Sequence, residues 1–165
     1  LFGAFGGEPM VLAKDSGWPV TYIATSQALD GEMSERIRQH QQRRPADWAL
    51  IEEPLALADV LRREAATERC LLVDCLTLWL TNLLLCEDQS RLETEREAML
   101  DCLGSLPGRI ILVSNETGLG VVPMGELSRR YVDAAGWLHQ ALAQRCERVL
   151  FCIAGLPMAL KGALP

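Results

Sequence analysis

An acidic residue at the end of an apolar run is the first candidate for chemistry. Asp74 follows Leu71, Leu72 and Val73, and a carboxylate in this position often holds Mg²⁺ beside a nucleotide in phosphoryl-transfer enzymes. The same pattern often does no more than cap the helix that follows. The run therefore makes Asp74 a candidate metal ligand and leaves the capping role open.

A histidine among arginines is the second candidate. His40 lies in the segment from Glu35 to Pro45, which also contains Arg36, Arg38, Arg43 and Arg44. Guanidinium forks suit phosphate oxygens, and a neutral imidazole can attack phosphorus. The alternative is a solvated basic face at the end of a helix that Pro45 closes. The second histidine, His139, lies beside Trp137 and Leu138 in an amphipathic stretch and is interpreted as structural.

A polar, glycine-containing loop is the third candidate. It begins at Ser114, Asn115 and Glu116 and contains Gly118 and Gly120. These residues could shape a substrate pocket, or the glycines could only supply the positive φ of a turn.

The surrounding sequence predicts alternating strands and helices. Apolar runs indicate strands at Val20–Ala24, Cys70–Asp74, Arg109–Ser114 and Arg148–Ile153, and helical periodicity indicates helices at Met33–Arg43, Leu55–Ala66, Leu76–Leu85, Arg91–Leu103 and Leu127–Arg145. This order predicts one α/β domain over residues 1–165 with a mainly parallel sheet flanked by helices. Ligands of such sheets bind at the carboxyl ends of the strands, where Thr25 and Ser26 follow the first run. For these two residues, capping and ligand contact remain equal alternatives.

Composition excludes several classes of partner. The net charge is −6, with only two lysines, Lys14 and Lys161, which argues against a nucleic-acid or anionic-membrane partner. The six cysteines form no C-x-x-C pair, and the apolar runs are too short to span a membrane. A reduced cytoplasmic protein is expected.

Several motifs in one register resemble the adenosylcobinamide kinase / adenosylcobinamide-phosphate guanylyltransferase family. The matching segments are Tyr22–Gln27, Arg36–Ile37, His40, Arg44–Pro45, Trp48, Glu52, Pro54, Leu71–Thr77, Thr81–Leu84, Val113–Gly120 and Val122–Pro123. The resemblance implies a P-loop NTPase-like (RecA-like) α/β fold, a homotrimer, and use of GTP or ATP with Mg²⁺. It also implies adenosylcobinamide and its phosphate as substrates.

The resemblance also assigns roles to individual residues. It implies that His40 carries GMP as a covalent phosphoramidate, and that Asp74 holds the metal and Glu52 contacts the nucleoside. The family's nucleotide-binding positions fall on Ala24, Thr25, Ser26, Gln41, Gln42, Arg43, Arg44, Glu52 and Asp74.

The segment from Leu1 to Gly17 departs from the family pattern. No G-x-x-x-x-G-K-[ST] phosphate loop can be recognised, Lys14 is followed by Asp15, and Pro9 lies where a helix is expected. The alternative hypothesis is therefore a non-catalytic or truncated remnant of the enzyme that lacks the phosphate loop and the first strand.

Overall fold

A computed structural model describes residues 8–27 and 44–164 of the chain. The helices are α1 (Glu8–Lys14), α2 (Leu57–Glu64), α3 (Leu76–Leu84), α4 (Arg91–Leu103) and α5 (Glu126–Arg145), and the strands are β1 (Val20–Ala24), β2 (Ala49–Glu52), β3 (Cys70–Asp74), β4 (Arg109–Val113), β5 (Val149–Ile153) and β6 (Leu156–Lys161). The predicted helix at Met33–Arg43 lies outside the described residues. Within those residues, no helix combines the length and apolar character needed to cross a membrane.

The central sheet has four parallel strands in the order β2-β1-β3-β4. Helices separate most of these strands along the chain, as parallel pairing requires. The predicted α/β class with a mainly parallel sheet is confirmed.

Alternation of apolar side chains along the strands builds a core on each face of the sheet. Ile23, Leu71 and Val73 contribute to one core with residues of α2, α3, α4 and α5. Tyr22 and Leu72 contribute to the other, together with residues of α1 and β5. Because both faces are covered, β1 and β3 read as continuous apolar runs.

The last predicted strand is paired differently from the prediction. Because strands and helices alternate along the sequence, Arg148–Ile153 was predicted to be a strand of the parallel sheet. Among the described residues, β5 instead pairs antiparallel with β6 in a two-stranded sheet. The strands β2 and β6 were not predicted at all.

Pro9 does not prevent a helix at the start of the described chain. Helix α1 runs from Glu8, the first described residue, to Lys14 and includes Pro9. The expectation that Pro9 interrupts a helix here is wrong. The segment from Leu1 to Gly17, in which no phosphate loop can be recognised, is described only from Glu8 onward.

A glycine before β4 is required by its surroundings. Gly108 has φ +83°, and a Cβ added there would lie 2.4 Å from Ala66 O and 2.6 Å from Arg69 O. Both carbonyls are held, because Ala66 O accepts a hydrogen bond from Arg69 N (3.2 Å) and Arg69 O from Arg109 N (2.9 Å).

We expect Gly108→Ala to lower the free energy of unfolding by about 2 kcal/mol more than Gly17→Ala. Gly17 has a similar φ of +71° but open space around its added Cβ, so it isolates the steric part of the effect. Urea unfolding measures both variants, and equal losses would contradict the close approach at Gly108.

Candidate active site

Three predicted site residues meet at the carboxyl edge of the sheet. In the strand register, Ala24 of β1 is paired with Glu52 on one side and with Asp74 on the other. Glu52 is exposed, whereas Ala24 and Asp74 are half-buried. The edge therefore presents two carboxylates on either side of a small residue.

Asp74 is fixed by a hydrogen bond across the sheet. The Tyr22 hydroxyl donates to Asp74 Oδ2 at 2.5 Å, and the Arg44 guanidinium lies 5.5 Å from the centre of the Tyr22 ring. Burial, reinforced by the Asp74 carboxylate, raises the pKa of Tyr22 far above its ordinary value, so the phenol remains a donor. The N-cap residue of α3 is Cys75, so the capping alternative for Asp74 is not observed.

The Thr25 side chain holds the turn that follows Asp74. Its Oγ1 donates to Cys75 O at 2.7 Å and accepts from Cys75 N at 2.9 Å. Asn82 Nδ2 in turn donates to Thr25 O (2.8 Å) and to Pro54 O (3.1 Å). The Thr25 hydroxyl therefore already uses its hydrogen bonds on the backbone of Cys75. Ser26, at the same edge, is half-buried.

The segment after β2 is tied to the same edge. Glu53 N donates to Ala24 O at 2.9 Å, and Glu53 Oε1 accepts from Leu55 N and Ala56 N at 2.9 and 2.8 Å. These bonds fix where Glu52 lies relative to β1.

The polar end of β4 contacts the second histidine. A hydrogen bond of 2.8 Å joins Ser114 Oγ and His139 Nε2, and His139 Nδ1 lies 3.7 Å from Glu116 Oε2. Burial lowers the pKa of His139, against the opposing effect of the Glu116 carboxylate. Because Ser114 is fully buried, this cluster anchors α5 to β4 and offers no accessible serine nucleophile.

The structure thus places six of the ten predicted site residues and leaves four outside the described part of the chain. The six are Ala24, Thr25, Ser26, Arg44, Glu52 and Asp74, and the four are His40, Gln41, Gln42 and Arg43.

Sequence reasoning missed the supporting roles of Tyr22 and Asn82. Asn82 carried a signal, because it is a polar side chain in the apolar helix α3. The role of Tyr22 depends on the register between β1 and β3, which the sequence does not show.

Comparison with known proteins identifies the family. Residues 8–160 match the family described as cobinamide kinase / cobinamide phosphate guanyltransferase. The chain belongs to this family. The resemblance inferred from the motifs is thereby confirmed, and the family description names two transfers that use nucleotides.

The chain aligns over most of its length with curated members of this cobinamide kinase / guanyltransferase family. It is 74% identical over 165 residues to the bifunctional adenosylcobalamin biosynthesis protein CobP of Pseudomonas aeruginosa, covering 98% of this chain and 95% of the relative. It is 31% identical to CobU of Escherichia coli and 32% identical to CobU of Salmonella typhimurium, with 86% of each chain covered. These comparisons do not favour the alternative of a non-catalytic copy.

Proposed function

We propose that this chain phosphorylates adenosylcobinamide and then transfers GMP from GTP to adenosylcobinamide phosphate, giving adenosylcobinamide-GDP. The observation that carries the proposal is the family match over residues 8–160. The paired positions of Glu52, Ala24 and Asp74 at one sheet edge support it, because nucleotides bind parallel sheets at this edge.

Asp74 is the residue suited to hold a metal ion. Among the described residues, no group of three or more His, Cys, Asp or Glu side chains forms a metal cage. Mg²⁺ in nucleotide enzymes is held by one or two carboxylates together with phosphates and water, so a single carboxylate fits. Bound there, Mg²⁺ would neutralise charge on the phosphates, while Tyr22 keeps the carboxylate oriented.

The proposed nucleotide contacts follow from which side chains are exposed at the carboxyl edge of the sheet. Glu52 is exposed at the end of β2 and is proposed to contact the nucleoside. Ser26 is half-buried, two residues after Ala24 at the same end of β1. Because the Thr25 hydroxyl is bonded to Cys75, we assign Thr25 to shaping this subsite, with Ala24 as the small residue that leaves room.

The guanylyl transfer is proposed to use His40. An imidazole nitrogen would form a bond to the α-phosphorus of GTP while the bond to pyrophosphate breaks, and GMP would then pass to the phosphate of the corrinoid. Arg43 and Arg44 would stabilise the charge on the phosphorus oxygens, and Gln41 and Gln42 would supply neutral hydrogen bonds. The Arg44 guanidinium lies beside the ring of Tyr22, whose hydroxyl donates to Asp74, so Arg44 itself lies near the Asp74 carboxylate.

A homotrimer is part of the same proposal. The loop before α5 exposes large apolar side chains, with Val121 94% and Met124 95% exposed. Exposed apolar patches of this kind commonly mark contacts with other chains. Light scattering should give three times the chain mass of 18.2 kDa.

Direct turnover tests the function. We expect the purified protein, given GTP, Mg²⁺ and adenosylcobinamide, to form first adenosylcobinamide phosphate and then adenosylcobinamide-GDP, which chromatography separates. If neither product appears under conditions in which the Pseudomonas aeruginosa relative forms both, the proposal is wrong.

A further inference from the structure

An asparagine just after β4 has a fixed backbone and an uncommitted side chain. Asn115 N donates a hydrogen bond to Thr77 Oγ1 at 3.0 Å, and the preceding residue, Ser114, is fully buried and bonded to His139. Among the described residues, the half-buried Asn115 carboxamide makes no hydrogen bond. Neither its oxygen nor its nitrogen is a fully buried atom without a partner, so both are accessible to a ligand.

The alternation of β4 continues as far as Asn115. Arg109 N donates to Arg69 O, on the side of β3. An even number of residues later, Asn115 N donates towards the same side, to Thr77 Oγ1. Because N–H groups and side chains both alternate along an extended chain, the Asn115 side chain lies on the same face of the sheet as that of Val113.

This face of the sheet also carries Asp74. The register pairs Asp74 with Val113, and the Asp74 carboxylate accepts a hydrogen bond from Tyr22, which packs in the same core as Val113. Asn115 lies two residues beyond Val113 on the neighbouring strand, so strand geometry places its Cα atom about 8 Å from that of Asp74. A phosphate group whose metal ion is held by Asp74 can therefore contact the Asn115 amide.

The order of the strands indicates which phosphate group this is. From β2 to β4, the paired positions at the carboxyl edge are Glu52, Ala24, Asp74 and Val113. With the nucleoside at Glu52 and the metal ion at Asp74, as proposed above, the phosphate chain runs from β2 towards β3, and its terminal phosphate lies nearest to β4. Three strand spacings amount to about 14 Å, which is comparable to the length of an extended nucleoside triphosphate.

We propose that the Asn115 amide donates a hydrogen bond to the terminal phosphoryl group while this group is transferred to the hydroxyl of adenosylcobinamide. This inference rests on the proposed function and assigns Asn115 to its first step. In that step the hydroxyl oxygen forms a bond to the γ-phosphorus, and the bond from this phosphorus to the bridging oxygen breaks. GDP leaves with the electron pair, and the hydroxyl proton passes to water. A donor held in place beforehand stabilises the charge on the phosphoryl oxygens during transfer.

Separate assays of the two steps test the assignment. Phosphorylation is measured as transfer of label from γ-labelled GTP to adenosylcobinamide, and guanylyl transfer as transfer of label from α-labelled GTP to adenosylcobinamide phosphate. Asn115→Ala should lower kcat of phosphorylation about 10²-fold, with the KM for adenosylcobinamide changed by less than about twofold. The rate of guanylyl transfer should also change by less than about twofold, because charge does not develop on the γ-phosphate in that step.

A control variant and a positioning variant accompany it. Gln140→Ala removes a carboxamide from an exposed position of α5 and should leave both rates unchanged. Thr77→Val keeps the shape of the side chain but removes the acceptor for Asn115 N, so phosphorylation should slow by up to about tenfold. Added to Asn115→Ala, the same substitution should cause no further loss, because the group that it positions is already absent.

The outcomes separate this inference from the function on which it rests. Wild-type turnover with an unchanged phosphorylation rate in Asn115→Ala would overturn the inference and leave the proposed function standing. Equal losses in both steps would also overturn it, since the amide would then serve the shared nucleotide site or the fold. Additive losses in the double variant would count against it as well. Absence of wild-type turnover in both assays would overturn the proposed function and this inference with it.

Discussion

Replacing Asp74 by Asn is expected to reduce both transfers by about 10²- to 10³-fold. The substitution keeps the shape of the side chain and removes its negative charge. Glu52, the other carboxylate at this edge, is separated from Asp74 by strand β1, so we do not expect it to take over the metal ion. The amide can still accept the Tyr22 hydroxyl, so the fold should be preserved.

Steady-state rates at several Mg²⁺ concentrations measure this effect. The variant should require more Mg²⁺ for half-maximal rate, while its circular dichroism stays that of the wild type. Asp59→Asn is a matched control, because Asp59 lies on α2 with its side chain 76% exposed and contacts only Arg62 among the ion pairs of the described residues. It should retain the full rate.

Tyr22→Phe separates the charge of Asp74 from its orientation. It removes the hydrogen bond to Asp74 Oδ2 and leaves the carboxylate charged, so we expect a loss of at most about tenfold. An Asp74→Asn enzyme that retains a tenth or more of the wild-type rate would show that the carboxylate is not the metal ligand.

The sequence was sufficient to predict the central strands β1 and β3, but not the short or irregular strands β2 and β6. β1 and β3 were predicted with the observed bounds because strands buried on both faces are continuously apolar. β2 is four residues long and three of them are exposed, so its pairing with β1 depends on tertiary contacts that leave no periodic signal. β6 contains Pro157, which argues against a strand except at a sheet edge.

The partner of β5 could not be predicted for a related reason. Its run of Val149–Ile153 has the composition of a buried central strand, yet its burial is uneven and it pairs with β6. Composition indicates that a strand forms, but it does not specify the neighbouring strand.

The sequence predicted which residues lie at the carboxyl edge of the sheet, but not the contacts between them. The rule that ligands bind at carboxyl ends brought Asp74 and Ser26 to one edge. The contact from Tyr22 to Asp74 requires the register between β1 and β3, in which Ala24 is opposite Asp74 and Tyr22 lies two residues earlier on the same face. For Thr25 the sequence left capping and ligand contact open, and the structure shows a third role, a pair of hydrogen bonds to Cys75.

Labelling of the protein by GTP is expected to depend entirely on His40. This residue lies outside the described part of the chain, so its role is supported by the sequence motif and by family membership. Incubation with Mg²⁺ and GTP labelled at the α-phosphate should attach label to the wild-type protein, because the imidazole would retain GMP when pyrophosphate leaves. GTP labelled at the γ-phosphate should leave none by this route, since that phosphate departs with pyrophosphate.

The chemistry of the bond identifies the attacking atom. A phosphoramidate is lost in acid and survives mild base, whereas a serine or threonine phosphoester is stable in acid. His139→Gln is the matched control, because it replaces the other histidine, which is bonded to the buried Ser114.

The most direct test of a guanylyl-histidine at His40 is therefore α-phosphate labelling of wild type, His40→Ala and His139→Gln side by side. A guanylyl-histidine at His40 gives acid-labile label on wild type and on His139→Gln, and none on His40→Ala. Label that persists on His40→Ala, or that survives acid on the wild type, would contradict a guanylyl-histidine intermediate at His40.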